Sequence, residues 1–207
     1  AYLLLGLVSF AITLLTGAML LRSAPTTSGR ATTTDGDRFR HALRSASYRI
    51  LLIAFILLGI ASSAILVHQP SLLLEAGFSL TEVGMLQGVV GAAVIVGRLG
   101  VGWLLDRVSV RWIMPPILLA ASVGCAMFAS GTTGVAVPIA AAMLGLMLGA
   151  EMDVLGYLIG RNHGSGAFGA LYGIVFAGFS LGSALGAATV GKLHAVYGGY
   201  AIPFAGL

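Results

Sequence analysis

The chain has 207 residues, of which 58% are hydrophobic and 9% charged, against roughly 45–50% and about 25% in an ordinary soluble domain. So little charged surface excludes soluble enzymes, nucleic-acid binders and secreted disulfide scaffolds, and makes a bilayer the solvent. The net charge of +4 does not reverse this, because the basic residues are scattered between long apolar runs and form no basic face. The 30 glycines follow no three-residue period, which removes a collagen-like reading as well.

About 20 apolar residues cross a bilayer as a helix, and six stretches qualify: Ala1–Leu21, Arg49–Val67, Val83–Leu105, Trp112–Ser130, Val135–Ile159 and Ala167–Gly191. A seventh begins near Gly198. The fold class expected is therefore all-α, a polytopic transmembrane helix bundle. The chain opens at Ala1 inside an apolar run, without a methionine, and stops at Leu207 as another run begins, which reads as a piece truncated at both ends. Residues 22–48 are rich in Ser, Thr, Gly and Arg, cannot bury a core of their own, and read as a flexible linker.

Basic residues mark the cytoplasmic side of a membrane protein. One set of alternate connectors holds Arg22, Arg30, Arg38, Arg40, Arg44, Arg49, Arg107, Arg111 and Arg161, whereas the other holds only Lys192. The linker is thus expected on the cytoplasmic side of a plasma or inner membrane, with the connectors around Glu75, Glu82 and Gly131–Gly134 outside. The positive net charge is then a topology signal.

Within the spans, small residues let helix backbones approach closely. Gly178, Gly182 and Gly186 recur at four-residue spacing in the sixth span, and Gly145 and Gly149 in the fifth; both read as packing faces. Cys125, inside an apolar run, reads as a small buried hydrophobe.

Arg98 is the one basic residue deep in a span. A cation there costs about 2.5–3.5 kcal/mol on insertion scales, so it should face protein or a water-filled cavity. At 100° per residue Gln87, Gly91 and Gly102 fall on its side of the helix, making one small and polar stripe. Two readings stand: a site for an anionic substrate, gripped by the guanidinium fork with help from Gln87, or a structural ion pair. Glu151 and Asp153 are the acids deep in the fifth span. Two residues apart they point about 200° from one another, so they are not a paired-carboxylate site. Asp153 shares a side with Gly149 and Tyr157, consistent with packing against a neighbouring helix, while Glu151 could look into a cavity; the sequence does not decide which of the two faces it. Each is a candidate proton carrier or a partner for Arg98.

His41, His68, His163 and His194 lie far apart, and there is no HExxH, cysteine cluster or GxSxG. No enzyme, metal site or cofactor is expected.

Between the third and fourth spans the chain reads Gly102-Trp-Leu-Leu-Asp106-Arg107-Val-Ser-Val-Arg111. This resembles the signature loop of the major facilitator superfamily, G-x-x-x-D-R-x-G-R-[RK], with Ser109 in place of the glycine and Val110 in place of the first basic residue. The resemblance implies a gating role for Gly102, Asp106, Arg107 and Arg111. It also implies that residues 1–21 are the last helix of a first six-helix half, residues 22–48 the central linker, and residues 49–207 the second half with its final helix incomplete. Gly97-Arg98 ahead of Asp106, Gly149-Ala-Glu151-Met-Asp153 and Ala167-Phe-Gly169-Ala-Leu-Tyr172-Gly173 look like the monocarboxylate and oxalate/formate branch. There an arginine matching Arg98 binds substrate carboxylate; the oxalate-exchange members also use a lysine that the sixth span lacks. The expected function is secondary transport of a small organic anion by alternating access, proton-coupled or by exchange, with partners limited to that anion, protons, the lipid bilayer and the missing N-terminal half. The alternatives are a multidrug-type exporter of the same superfamily and a membrane receptor or assembly subunit that moves nothing.

Overall fold

The structure is a computed structural model that describes residues 33–163 and 167–197. The chain divides into two units, residues 1–37 and 38–207. Only residues 33–37 of the first are described, as the opening of a helix, and the helix bundle belongs to the second. The first expected span and the start of the seventh lie outside the described residues.

Six helices are described: α1 Thr33–Arg44, α2 Ala46–Glu75, α3 Leu80–Leu105, α4 Val110–Ala129, α5 Ala136–His163 and α6 Phe168–Tyr197. Helices α2 to α6 are each long and apolar enough to cross a membrane, as the span pattern predicts, and there is no strand among the described residues. Two differences have physical causes. First, α2 continues past Val67 through Pro70 to Glu75, and α3 begins at Leu80 because Ser79 and Glu82 form a reciprocal capping box. The Glu82 carboxylate accepts from the Ser79 backbone N–H at 2.8 Å, and the Ser79 hydroxyl oxygen accepts from the Glu82 N–H at 3.3 Å. The connector there shrinks to a tight turn in which Gly77 takes a φ of 92°, a left-handed conformation that a side chain disfavours. Second, the segment read as a flexible linker ends in α1, whose Phe39, Ala42 and Leu43 join Tyr48, Phe55, Leu155 and Leu171 in one apolar cluster. The Tyr48 hydroxyl donates to the Leu171 carbonyl at 2.9 Å and ties α2 to the start of α6 there.

Two intimate helix pairs build the bundle, α2 with α6 and α3 with α5, and α4 packs on α5. Both pairs are parallel, since contacts advance together along each: Tyr48 meets Leu171 near the start of α2 and Glu75 meets His194 near its end. Helix α5 is the central one, with Ala140, Ala141, Leu144, Ala150, Leu155 and Ile159 fully enclosed. The α2–α6 pair depends on glycine in a direct way. A Cβ on Gly182 would fall on the Ile56 backbone carbonyl, and one on Gly186 on that of Ile60. In a bilayer, where apolar burial gives helices no reason to associate, such backbone contact is what van der Waals packing has to work with.

We expect Gly186→Ala to be destabilising by about 1–3 kcal/mol, because the obstruction is a backbone rather than a side chain that could turn aside. Gly173→Ala, where a Cβ meets nothing within 4 Å, should leave the thermal unfolding midpoint in detergent unchanged. Equal midpoints for the two variants would show that the α2–α6 contact is not close.

Candidate functional site

The polar groups in the middle of the bundle sit on α2, α3 and α5. Gly149 of α5 lets α3 approach so closely that an added Cβ would meet the Val94 carbonyl and come within 2.9 Å of the Arg98 backbone nitrogen. One helical turn further along α5, on the same side, is Asp153. Its Oδ2 lies 3.9 Å from Arg98 Nε. That is an ion pair beyond the 2.7–3.2 Å of a hydrogen bond. The Arg98 side chain is 54% exposed and that of Asp153 32%, and no hydrogen bond to the guanidinium is found among the described residues. A forked cation inside an apolar span thus keeps most of its donors open.

Glu151, some 200° around the same helix, points instead toward α2. It is 7% exposed and its Oε2 accepts a hydrogen bond from the Ser62 hydroxyl at 2.7 Å. The Arg98 charge also acts electrostatically on it. The reading of Asp153 as packed against a neighbouring helix matches its place beside α3. The reading of Glu151 as looking into a cavity differs from the structure, where α2 encloses it among the described residues. The two acids therefore belong to different surroundings: one enclosed and hydrogen-bonded, the other beside an open cation.

Gln87 lies on the Arg98 side of α3, and its amide nitrogen is enclosed with no hydrogen-bond partner among the described residues. Eleven residues of helix separate it from Arg98, about 16 Å. The polar stripe is thus continuous in angle, with its two polar side chains about three turns apart along the axis. Gln69, 1% exposed on α2, likewise has an unpartnered amide nitrogen.

The loop after α3 has its own arrangement. Asp106 is the C-cap of α3, and Gly102, one turn earlier, is half-buried. Arg107 folds back along its own helix: its guanidinium donates to the Trp103 carbonyl at 3.0 Å and lies 4.0 Å from the centre of the Trp103 ring. A cation at a helix C-terminus meets the negative end of the helix dipole there. Arg111 lies 5.7 Å from the Trp112 ring in the first turn of α4. No ion pair joins Asp106 to either arginine among the described residues. The four loop residues thus share one end of the bundle, away from Arg98, Glu151 and Asp153.

Ser62 is the site residue that the sequence reading omits. The signal available was two adjacent serines, Ser62 and Ser63, in the middle of an otherwise apolar span; their depth relative to Glu151 depends on helix register. His68, at the far end of α2, is engaged with the Ala187 carbonyl at 2.9 Å and binds α2 to α6.

These features, five membrane-length helices with a charged centre on α2, α3 and α5 and a basic loop after α3, describe a polytopic helical membrane protein. The profile described as Major Facilitator Superfamily matches residues 1–187. The chain belongs to that superfamily, whose members are membrane transporters rather than enzymes. Compared with curated proteins, it has no match.

Ser62→Ala should leave the Glu151 carboxyl enclosed without its donor and destabilise the bundle by about 1–3 kcal/mol. Ser63→Ala serves as the control for the loss of a neighbouring hydroxyl. A thermal unfolding midpoint that falls equally for the two variants would show that the Ser62–Glu151 bond contributes nothing of its own.

Proposed function

We propose that the protein moves a small organic anion by alternating access, with Arg98 as the ligand for the substrate carboxylate. The observation that carries this reading is the looseness of the Arg98–Asp153 pair: at 3.9 Å and more than half exposed, Arg98 is held but not satisfied. A structural ion pair inside a membrane protein is expected to be short and enclosed, since its charges must repay their desolvation through close geometry. A carboxylate substrate would accept two parallel N–H bonds from the fork, which are shorter and stronger than neutral ones. In this reading Asp153 steadies the empty arginine and yields it to the substrate. Glu151 is the proton carrier, because a carboxyl group enclosed in a membrane is stable when neutral and the Ser62 hydroxyl offers it a bond when charged.

The substrate would sit between this half of the fold and a companion six-helix half, and the two would rock about it. In the same reading the linker and the loops after α3 and α5 lie on the cytoplasmic side, which their excess of arginine supports. The Asp106 loop then lies at the cytoplasmic end, where its charges bias the inward-open and outward-open populations.

Uptake of a labelled monocarboxylate into proteoliposomes under a pH gradient tests the assignment. Arg98→Lys keeps the charge but loses the planar fork, and should reduce transport by an order of magnitude or more, by analogy with other sites where the fork is used bidentately. Arg98→Ala should abolish it while the protein still inserts. Recovery of carboxylate transport in Arg98→Ala/Asp153→Asn would mean that the pair is structural and that the ligand lies elsewhere.

A reporter fused within residues 22–32 should be cytoplasmic and one at Gly77 external. Finding both on one side of the membrane would contradict the alternating topology.

A further inference from the structure

On the opposite side of α3 from Arg98 the helices leave a groove of about 340 Å³ between α3 and α4. Val96, Gly100 and Leu104 form one wall, and Trp112, Pro116 and Ile117 the other. Gly100 is 200° around the helix from Arg98, so the groove does not belong to the polar centre. Its lining is almost wholly apolar. From Val96 to Leu104 the wall runs about 12 Å, most of the roughly 15 Å that one leaflet contributes to a 30 Å hydrocarbon core. It is open along its length, with Val96 62% and Trp112 68% exposed.

The end of the groove nearest the membrane surface is cationic. Arg111 lies against the ring of Trp112, which itself lines the groove, and Arg107 lies over Trp103 at the same end of α3. Asp106 is the one carboxylate in this stretch, so the loop 106–111 carries one net positive charge. Tryptophan rings beside arginines are the side chains that settle at the headgroup level of a bilayer.

We infer that this groove is a binding site for an anionic phospholipid: one acyl chain lies between α3 and α4, and the headgroup phosphate is held by Arg111 and Arg107. The charge at the mouth selects the lipid. An acyl chain alone would enter with any headgroup, whereas each net positive charge near the surface favours an anionic lipid about fivefold, and the loop carries one. The absence of a side chain at Gly100 keeps the groove open, since a Cβ there would meet nothing within 4 Å. Substitution at that position therefore fills the groove without displacing a helix. The inference does not depend on the transport reading, because it rests on the groove and the charges at its mouth rather than on Arg98.

The chain's two tryptophans, Trp103 and Trp112, both flank this site, which makes intrinsic fluorescence its reporter. The protein is reconstituted in phosphatidylcholine vesicles, and quenching is titrated with phosphatidylglycerol or phosphatidylcholine brominated on the acyl chains. Half-quenching of Trp112, isolated in a Trp103→Phe background, should occur at about fivefold less brominated phosphatidylglycerol than phosphatidylcholine. Arg111→Gln should bring the two curves together. Gly100→Leu should weaken quenching by either lipid and remove the preference, and inorganic phosphate should change nothing. Superimposable curves in the unaltered protein would overturn the proposal. So would a preference that survives Gly100→Leu, or one that inorganic phosphate abolishes, which would assign the arginines to a free anion.

Discussion

Backbone contact between parallel helices is the constraint on which the rest of this structure depends. Leucine and isoleucine gain nothing by leaving lipid for a protein interior, so the bundle has to be held by dispersion at short range and by a few polar bonds. Gly182 and Gly186 bring α6 onto the carbonyls of α2 at Ile56 and Ile60, and Gly145 and Gly149 bring α5 onto those of α3 at Val90 and Val94. The polar contacts are consequences of these approaches. The Tyr48–Leu171, His68–Ala187 and His194–Glu75 bonds span the α2–α6 pair along its length, and the Arg98–Asp153 pair lies one turn beyond Gly149. Enlarging Gly149 would therefore press on the Arg98 backbone as well as on the packing.

The helical period then separates two carboxylates that are almost adjacent in sequence. Because Glu151 and Asp153 are about 200° apart, α5 presents one to α2 and the other to α3. The enclosed position calls for a hydrogen-bond donor, which Ser62 supplies. The open position tolerates a loose ion pair, because water or a ligand can complete the coordination of both partners. A single helix thus gives two acids different chemical surroundings.

The long apolar spans and their packing glycines were legible in the sequence because both are one-helix properties: length against bilayer thickness, and recurrence at four residues. The helix ends at Glu75 and Leu80 were legible in principle, since Ser79 and Glu82 have the spacing of a capping box, but the apolar run alone puts the boundary several residues away. Helix α1 is obscured by its composition. Twelve residues with two threonines, a glycine and several charges read as linker, and the three apolar side chains that anchor them, Phe39, Ala42 and Leu43, acquire meaning once α2 and α6 are beside them. The Ser62–Glu151 bond was illegible for the same reason. Angular position comes from one helix, whereas the depth at which two helices align is set by their mutual register. Gln87 divides in the same way: the direction it shares with Arg98 follows from one helix, whereas the enclosure of its amide nitrogen depends on the helices packed around it.

Helix α3 carries three kinds of contact around its circumference. Val90, Ala93, Gly97 and Val101 face α5; Arg98 stands to one side of that seam and the groove at Gly100 to the other. Gly97 belongs to both the seam and the groove, since an added Cβ would meet the backbone of Leu146 in α5 and the residue also lines the cavity. Arg98 and the groove wall are therefore carried by the same helix on either side of one close-packed seam. The charged centre and the groove are in this sense two sides of one helix, set apart by the seam that packs on α5.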